Sequence, residues 1–413
     1  MPAASSSDEV RYQQAGVDES GTVETQNDEN VQEVDVHEAG VLGTAVNMAC
    51  NIMGGAVLVL PTAMDDASLI PGLVLVVGLG LMSLTTMIML AHSAEKLKVY
   101  NYRALLSATT YPICGRLFEM ALFLYTYGVL IEYGRVIADS IPDAARDFFK
   151  VTTGVLVHGW FWLLIACAPF VIFTSLPRLT HLKWTSIVGF ITIFYIQIMI
   201  IMRYADGTYR DGRESYNAPD VKVASLSMNF FRAIPVLAVA FSCHYNVPFY
   251  YRELKVRTVQ QFYKVLLVVH PALVTMYILT GLLGYLTFGS SGLASTTGNV
   301  VNAYRHNDVP VNIGRVGLFF HFCTAFPIVA IGCRNCLNGI LFHSPDRSQA
   351  TYIVESIILV STSAVLAMVV PGIAFVVDII GSLFGGYHRV LVWRCDCVYH
   401  PVSGLHSVEP AVP

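Results

Sequence analysis

A chain of 413 residues that is 54% apolar and only 13% charged departs from ordinary soluble domains, which run about 45–50% apolar and about 25% charged. That balance excludes a soluble globular protein and points to a membrane class. The formal net charge of −4 is unevenly spread: residues 1–40 hold ten acids against one base, Arg11, which leaves the remaining chain net positive.

Residues 1–40 carry neither an apolar core nor a basic-then-apolar pattern, so they read as a disordered acidic arm rather than a signal or transit peptide. Beyond them, no Asp, Glu, Lys or Arg stands between Glu38 and Asp65, nor between Asp66 and Glu95. Each interval exceeds the roughly 20 residues that a helix needs to cross a bilayer. The same scan gives further spans near 117–140, 159–176, 183–203, 233–251, 264–288, 312–341 and 352–377, for an all-α polytopic membrane protein of about nine spanning helices. Helices are required because lipid offers backbone amides no partners and the segments are too long and too continuously apolar for barrel strands. With the N-terminus cytoplasmic, the short inside loops hold twelve Lys and Arg against eight outside, so the positive-inside bias favours that orientation.

Span one reads VNMACNIMGGAVLVLPTAM, with Gly54-Gly55 at mid-depth and Pro61 following. Adjacent glycines weaken a helix at the bilayer centre. Span six reads IPVLAVAFSCHYNVPFYYRELK, and Pro248 cannot donate to the helical ladder, so a break is expected around Ser242 to Val247. If the chain is two repeats of five helices, these spans open their respective halves. Matching interruptions of that kind point to a transporter's binding site, where half-helix ends and unwound carbonyls meet a solute and a cation.

In span three, Glu132, Arg135 and Asp139 share one helical face, and Glu132 with Arg135 reads as a mutually neutralising pair near the interface. His244 stands beside the expected break, where a proton site and a structural imidazole both remain open; His270 and His321 read as structural. Cys333-x-x-Cys336 has redox or metal spacing but lacks a second pair. No Walker A lysine motif, HExxH or GxSxG occurs, so no enzyme and no resident cofactor or metal is expected. Nucleic acid is not an expected partner; the bilayer is.

Particular words in these spans carry a resemblance. AFSCHYNVPFYYRELK, residues 240–255, resembles the sixth helix of the amino acid/auxin permease family, in particular its sodium-coupled neutral amino acid transporter branch, and NMACNIMGGAVLVLPTAM resembles the first. GYLTFG, residues 284–289, is similar to the end of the family's seventh helix, while Gly128, Tyr133 and Pro142, and Pro327 and Arg334, keep the spacings of its third and eighth. The likeness covers residues 41–386, taken as the transporter domain.

The resemblance implies a leucine-transporter-like fold of inverted five-helix repeats and secondary active transport of amino acids by alternating access. It implies substrate contacts from Asn51, Met53, Gly54 and Gly55 in span one, Tyr133 in span three, and Ser242, Cys243 and His244 in span six. It also implies a coupling cation near Asn51 and span eight. The family's threonine two places before the proline is Ala325 here, with Thr324 one place earlier, so sodium and proton both remain as coupling ion.

After Gly386 the chain turns polar (YHRVLVWRCDCVYHP…), and charges there would each cost about 2.5–3.5 kcal/mol at a bilayer centre. Residues 387–413 are therefore expected to be a non-spanning tail, with the last helices missing. A non-transporting amino acid sensor or regulatory membrane protein is the alternative. The sequence leaves the plasma membrane and the vacuolar or lysosomal membrane both open.

Overall fold

In the computed structural model, the described residues are 40–100, 102, 105, 112–175, 183–209, 220–341 and 349–384. The acidic arm up to residue 39 and the tail 387–413 lie outside them. Among the described residues twelve α-helices follow in chain order: α1 (Val41–Ile52), α2 (Leu60–Ala67), α3 (Leu69–Leu97), α4 (Pro112–Phe148), α5 (Gly159–Thr174), α6 (Lys183–Ala205), α7 (Phe230–Ala240), α8 (Val247–Glu253), α9 (Val259–Ala294), α10 (Val309–Leu341), α11 (Gln349–Val369) and α12 (Ile373–Phe384). A short 3-10 stretch, Gly55–Val59, separates α1 from α2, and another, His244–Asn246, separates α7 from α8.

Against the nine spans expected, six described segments are long and apolar enough to cross a membrane, the α7–α8 segment among them. The α1–α2 pair, bent by 57°, makes a seventh, and three shorter apolar helices lie in α5, α6 and α12. The ninth expected span, 352–377, is two elements, because Pro371 supplies no amide and disfavours helix in the residue before it. Helix α11 therefore stops at Val369, and α12 starts at Ile373 and packs on α7 and α4. An apolar helix thus stands where the tenth span begins, and residues after 384 lie outside those described. Outward-facing Val74, Leu164, Ile172, Leu267, Ile358 and Val365 are exposed, the surface that lipid covers.

Helices α4, α5, α10 and α11 pack on one another as a four-membered frame. The broken spans lie to one side of it: α2 and α7 meet α3, α9 receives α1, α2 and α3, and α4 touches the Gly55–Val59 stretch. Span seven ends where Gly289 adopts φ 63°, a left-handed backbone that glycine takes without strain.

Buried polar groups tie one end of the bundle. Arg315, fully buried in α10, donates to the carbonyls of Val301 and Tyr304 at 3.0 Å each and to Asn312 Oδ1 at 2.7 Å, and lies 3.5 Å from Asp143. Tyr209 donates to Asp308 at 2.7 Å, while Arg203 reaches the same carboxylate at 2.6 Å. Burial, with that bond to Asp308, pushes the Tyr209 hydroxyl above the ordinary phenol range.

Candidate functional site

Helix α1 ends at Ile52, and the chain turns at Met53 (φ −78°, ψ 73°) with the Gly54 amide donating to the Ile52 carbonyl at 2.9 Å. This is an inverse γ-turn. Gly54 is extended (φ −91°, ψ −164°) before the 3-10 stretch begins. Helix α7 ends at Ala240, Cys243 is non-helical (φ −140°, ψ 12°), and the Asn246 amide closes a turn on the Cys243 carbonyl at 3.1 Å. Pro61 is the second residue of α2 and Pro248 the second of α8. A missing amide costs nothing in the first turn, so proline suits a helix restarting after a break. Both breaks thus fall where glycine and proline placed them, and both resume in the same way.

The two breaks face each other. Asn51 Oδ1 accepts from Asn246 Nδ2 at 3.4 Å and from the Cys243 thiol at 3.7 Å. Tyr277, fully buried in α9, donates to the Ala240 carbonyl at 2.7 Å and also lies 3.4 Å from the Ile52 carbonyl. One phenol therefore bridges the last carbonyls of both half-helices, groups that a helix end leaves without an intrahelical partner. From α3, Ser83 donates to the Phe241 carbonyl at 3.2 Å, and Thr86 Oγ1 lies 2.8 Å from His244 Nε2.

The frame closes the other side. The Tyr133 hydroxyl comes so near Gly54 that an added Cβ would lie 3.4 Å from it, and the Tyr133 ring packs on Phe322 with centroids 4.7 Å apart. Tyr125 and Tyr245 meet edge to face at 6.2 Å. Met53, Gly55, Ser242, Cys243 and His244 are buried, while Asn51 and Gly54 are half-buried. Thr324, half-buried on α10, donates back to the His321 carbonyl at 2.8 Å, a bond within its own helix. Cys333 and Cys336 are not disulfide-bonded, and no cluster of metal-ligating side chains occurs among the described residues.

The expected Glu132–Arg135 pair does not form. Arg135 binds Asp139 one helical turn away at 2.9 Å and reaches the Ala367 and Pro371 carbonyls, whereas Glu132 turns inward and is 1% exposed. Spacing of three residues allowed the first pairing, but Arg135 takes the carboxylate four residues on, with its side chain still 16% exposed. Sequence reasoning also missed Tyr277, Thr86, Ser83 and Asn246. Asn246 alone carried a signal, being a polar amide inside the run that Pro248 interrupts.

At the end of span one opposite the N-terminus, a strap holds α2. The Leu69 and Ile70 amides donate to the Lys222 and Val223 carbonyls at 2.9 Å each, and Lys222 Nζ lies 3.2 Å from Asp65, which also accepts from Ser290. Burial lowers the affinity of the Lys222 ammonium for its proton, but Asp65 outweighs that and leaves it raised.

A helical frame with two broken spans meeting beside it defines a membrane transporter. Residues 37–387 match the family model described as transmembrane amino acid transporter protein, and the chain belongs to that family, the amino acid/auxin permeases, whose members are transporters rather than enzymes. Vacuolar amino acid transporter 5 of Schizosaccharomyces pombe is 24% identical over 357 residues, 84% of this chain and 82% of that one. Sodium-coupled neutral amino acid transporter 7 of Mus musculus is 23% identical over 390 residues, 90% of this chain and 81% of that one. Among solved structures, the inward-facing conformation of Mhp1 is similar with a TM-score of 0.58 at 13% identity, covering 88% of this chain and 77% of that one. A sodium-coupled sialic acid symporter in a substrate-bound outward-open state gives a TM-score of 0.54 at 11% identity, over 86% and 78%. These likenesses show the leucine-transporter fold class.

Proposed function

We propose that the chain is a secondary active transporter that moves amino acids by alternating access, with the solute held between the breaks in spans one and six. The observation that carries this reading is the meeting of Asn51 with Asn246 and Cys243 across the two breaks. Tyr277 brings the C-terminal carbonyls of α1 and α7 to one phenol, and the chain leaves each break through a 3-10 stretch. Half-helix N-termini suit a carboxylate and C-terminal carbonyls suit an ammonium or a cation; an amino acid carries both charges.

In this reading Asn51, Met53, Gly54, Gly55, Ser242, Cys243 and His244 line the substrate position, and Tyr133 covers it from the frame. Asn51 and Thr324 supply oxygen toward a coupling cation. Spans one and six move against the frame of α4, α5, α10 and α11, and the N-terminus is cytoplasmic. The names of the relatives support both a sodium-coupled and a vacuolar setting, so sodium and proton stand together as coupling ions and the membrane is plasma or vacuolar.

The test is uptake of a panel of labelled amino acids by the full chain in proteoliposomes under imposed sodium and pH gradients. Gradient-driven flux of at least one amino acid supports the reading. Saturable binding without flux would replace it with an amino acid sensor.

A further inference from the structure

Glu132 lies on α4 one residue before Tyr133, in the span that packs on the broken stretch of span one. It is buried at 1% exposure, and a Cβ placed on Gly55 would stand 2.5 Å from its Oε1. The carboxyl group therefore rests directly on the unwound backbone. The Ala56 amide interacts with this carboxyl, while Oε1 is buried with no hydrogen-bond partner.

No described cation compensates it. On its own helix Arg135 is bound by Asp139. From the neighbouring elements, Arg315 is held by carbonyls and Asp143, and Arg334 by the Thr174 carbonyl and the Tyr352 ring. Asp378 of α12 faces Arg232 at 4.0 Å, and His321 of α10 packs edge-on against Phe322. Stretch Gly55–Val59 contains no titratable side chain. Tyr133 is the titratable neighbour that interacts with Glu132 electrostatically.

A charged carboxylate with one oxygen orphaned in a dry interior is strongly disfavoured, and such a group neutralises by taking a proton. Intramembrane carboxyls with this character mark proton relays in pumps and transporters. We propose that Glu132 is the proton-binding site that couples ion movement to the opening of span one. With the Gly55–Val59 stretch closed on it, the side chain is a carboxylic acid. When that stretch swings away and water enters, its O–H bond breaks, the bonding electron pair stays on the carboxylate oxygen, and the proton passes to water. The backbone segment that touches the solute thereby also reports to the proton.

This inference rests on the transport reading, and the experiment separates the two. The full chain and Glu132→Gln are reconstituted in proteoliposomes, and exchange at equal pH is compared with accumulation driven by a pH gradient. The side chain of the variant is permanently neutral. Driven accumulation is expected to fall at least about 10-fold further than exchange in the variant, as for a lost coupling free energy, and solute-evoked proton movement should vanish. Accumulation by Glu132→Gln that tracks the pH gradient as in the wild type, or wild-type accumulation that follows sodium and ignores pH, would overturn the proton site while leaving transport standing. Absence of any exchange or flux in the wild type would overturn both. Should Glu132→Gln fail to fold, infrared difference spectra of the wild type decide. A protonated carboxyl band that changes when solute is added supports the site, and an unchanged band across the pH range overturns it.

Discussion

The hydroxyl of Tyr277 donates to the Ala240 carbonyl at 2.7 Å. That bond, from a residue of span seven to the last carbonyl of the first half of span six, anchors one break from outside. Replacing Tyr277 by Phe removes the donor and leaves a buried carbonyl unsatisfied, which costs about 1–3 kcal/mol. The expected outcome is a lower unfolding temperature in detergent and faster hydrogen exchange at residues 241–246, with residues of α5 and α11 unaffected.

Gly54 and Gly55 should respond differently to alanine. A methyl on Gly54 meets Tyr133 at ordinary contact distance, whereas one on Gly55 forces the Glu132 carboxyl aside. Gly54→Ala is expected to keep substrate binding within about 3-fold, and Gly55→Ala to lose at least about 10-fold, a loss of about 1.4 kcal/mol or more. Gly54→Leu fills the space before Tyr133 and should abolish binding while membrane insertion persists, read by radioligand binding on purified protein.

How much of this was legible in the sequence follows from where each signal resides. Breaks in spans one and six were written by Gly54, Gly55 and Pro248, because those residues act on their own backbone. The partners that hold the breaks, Tyr277, Thr86 and Ser83, come from spans whose local pattern is ordinary membrane helix, and their contacts exist only once the bundle is assembled. Glu132 was misread for a related reason: helical spacing shows which residues share a face but not which of two partners Arg135 takes. The division at Pro371 was available to local reasoning, but the apolar run across 352–377 concealed it.

Arg315 is expected to dominate stability at its end of the bundle. Arg315→Met strips the Val301 and Tyr304 carbonyls and Asn312 of their donor, and breaking such a buried charged network costs about 3–5 kcal/mol. Arg315→Lys should recover only part, since one ammonium cannot span the fork of a guanidinium. Thermal unfolding monitored by tryptophan fluorescence compares them.

Helix α12 belongs to the working bundle if its packing matters. Gly381 sits directly against the Pro235 carbonyl of α7, so Gly381→Val must push the two helices apart. A reduced unfolding temperature and lower flux are expected, whereas valine at Gly332, where nothing lies within 4 Å, should leave both near wild type.

The central claim is that backbone freed at the two breaks grips the solute. Hydrogen exchange on the full chain, with and without an amino acid shown to be transported, tests it most directly. The account predicts solute-dependent protection concentrated at residues 53–56 and 242–246. Solute that binds fully while exchange at both breaks stays unchanged, with protection elsewhere in the bundle, would contradict it.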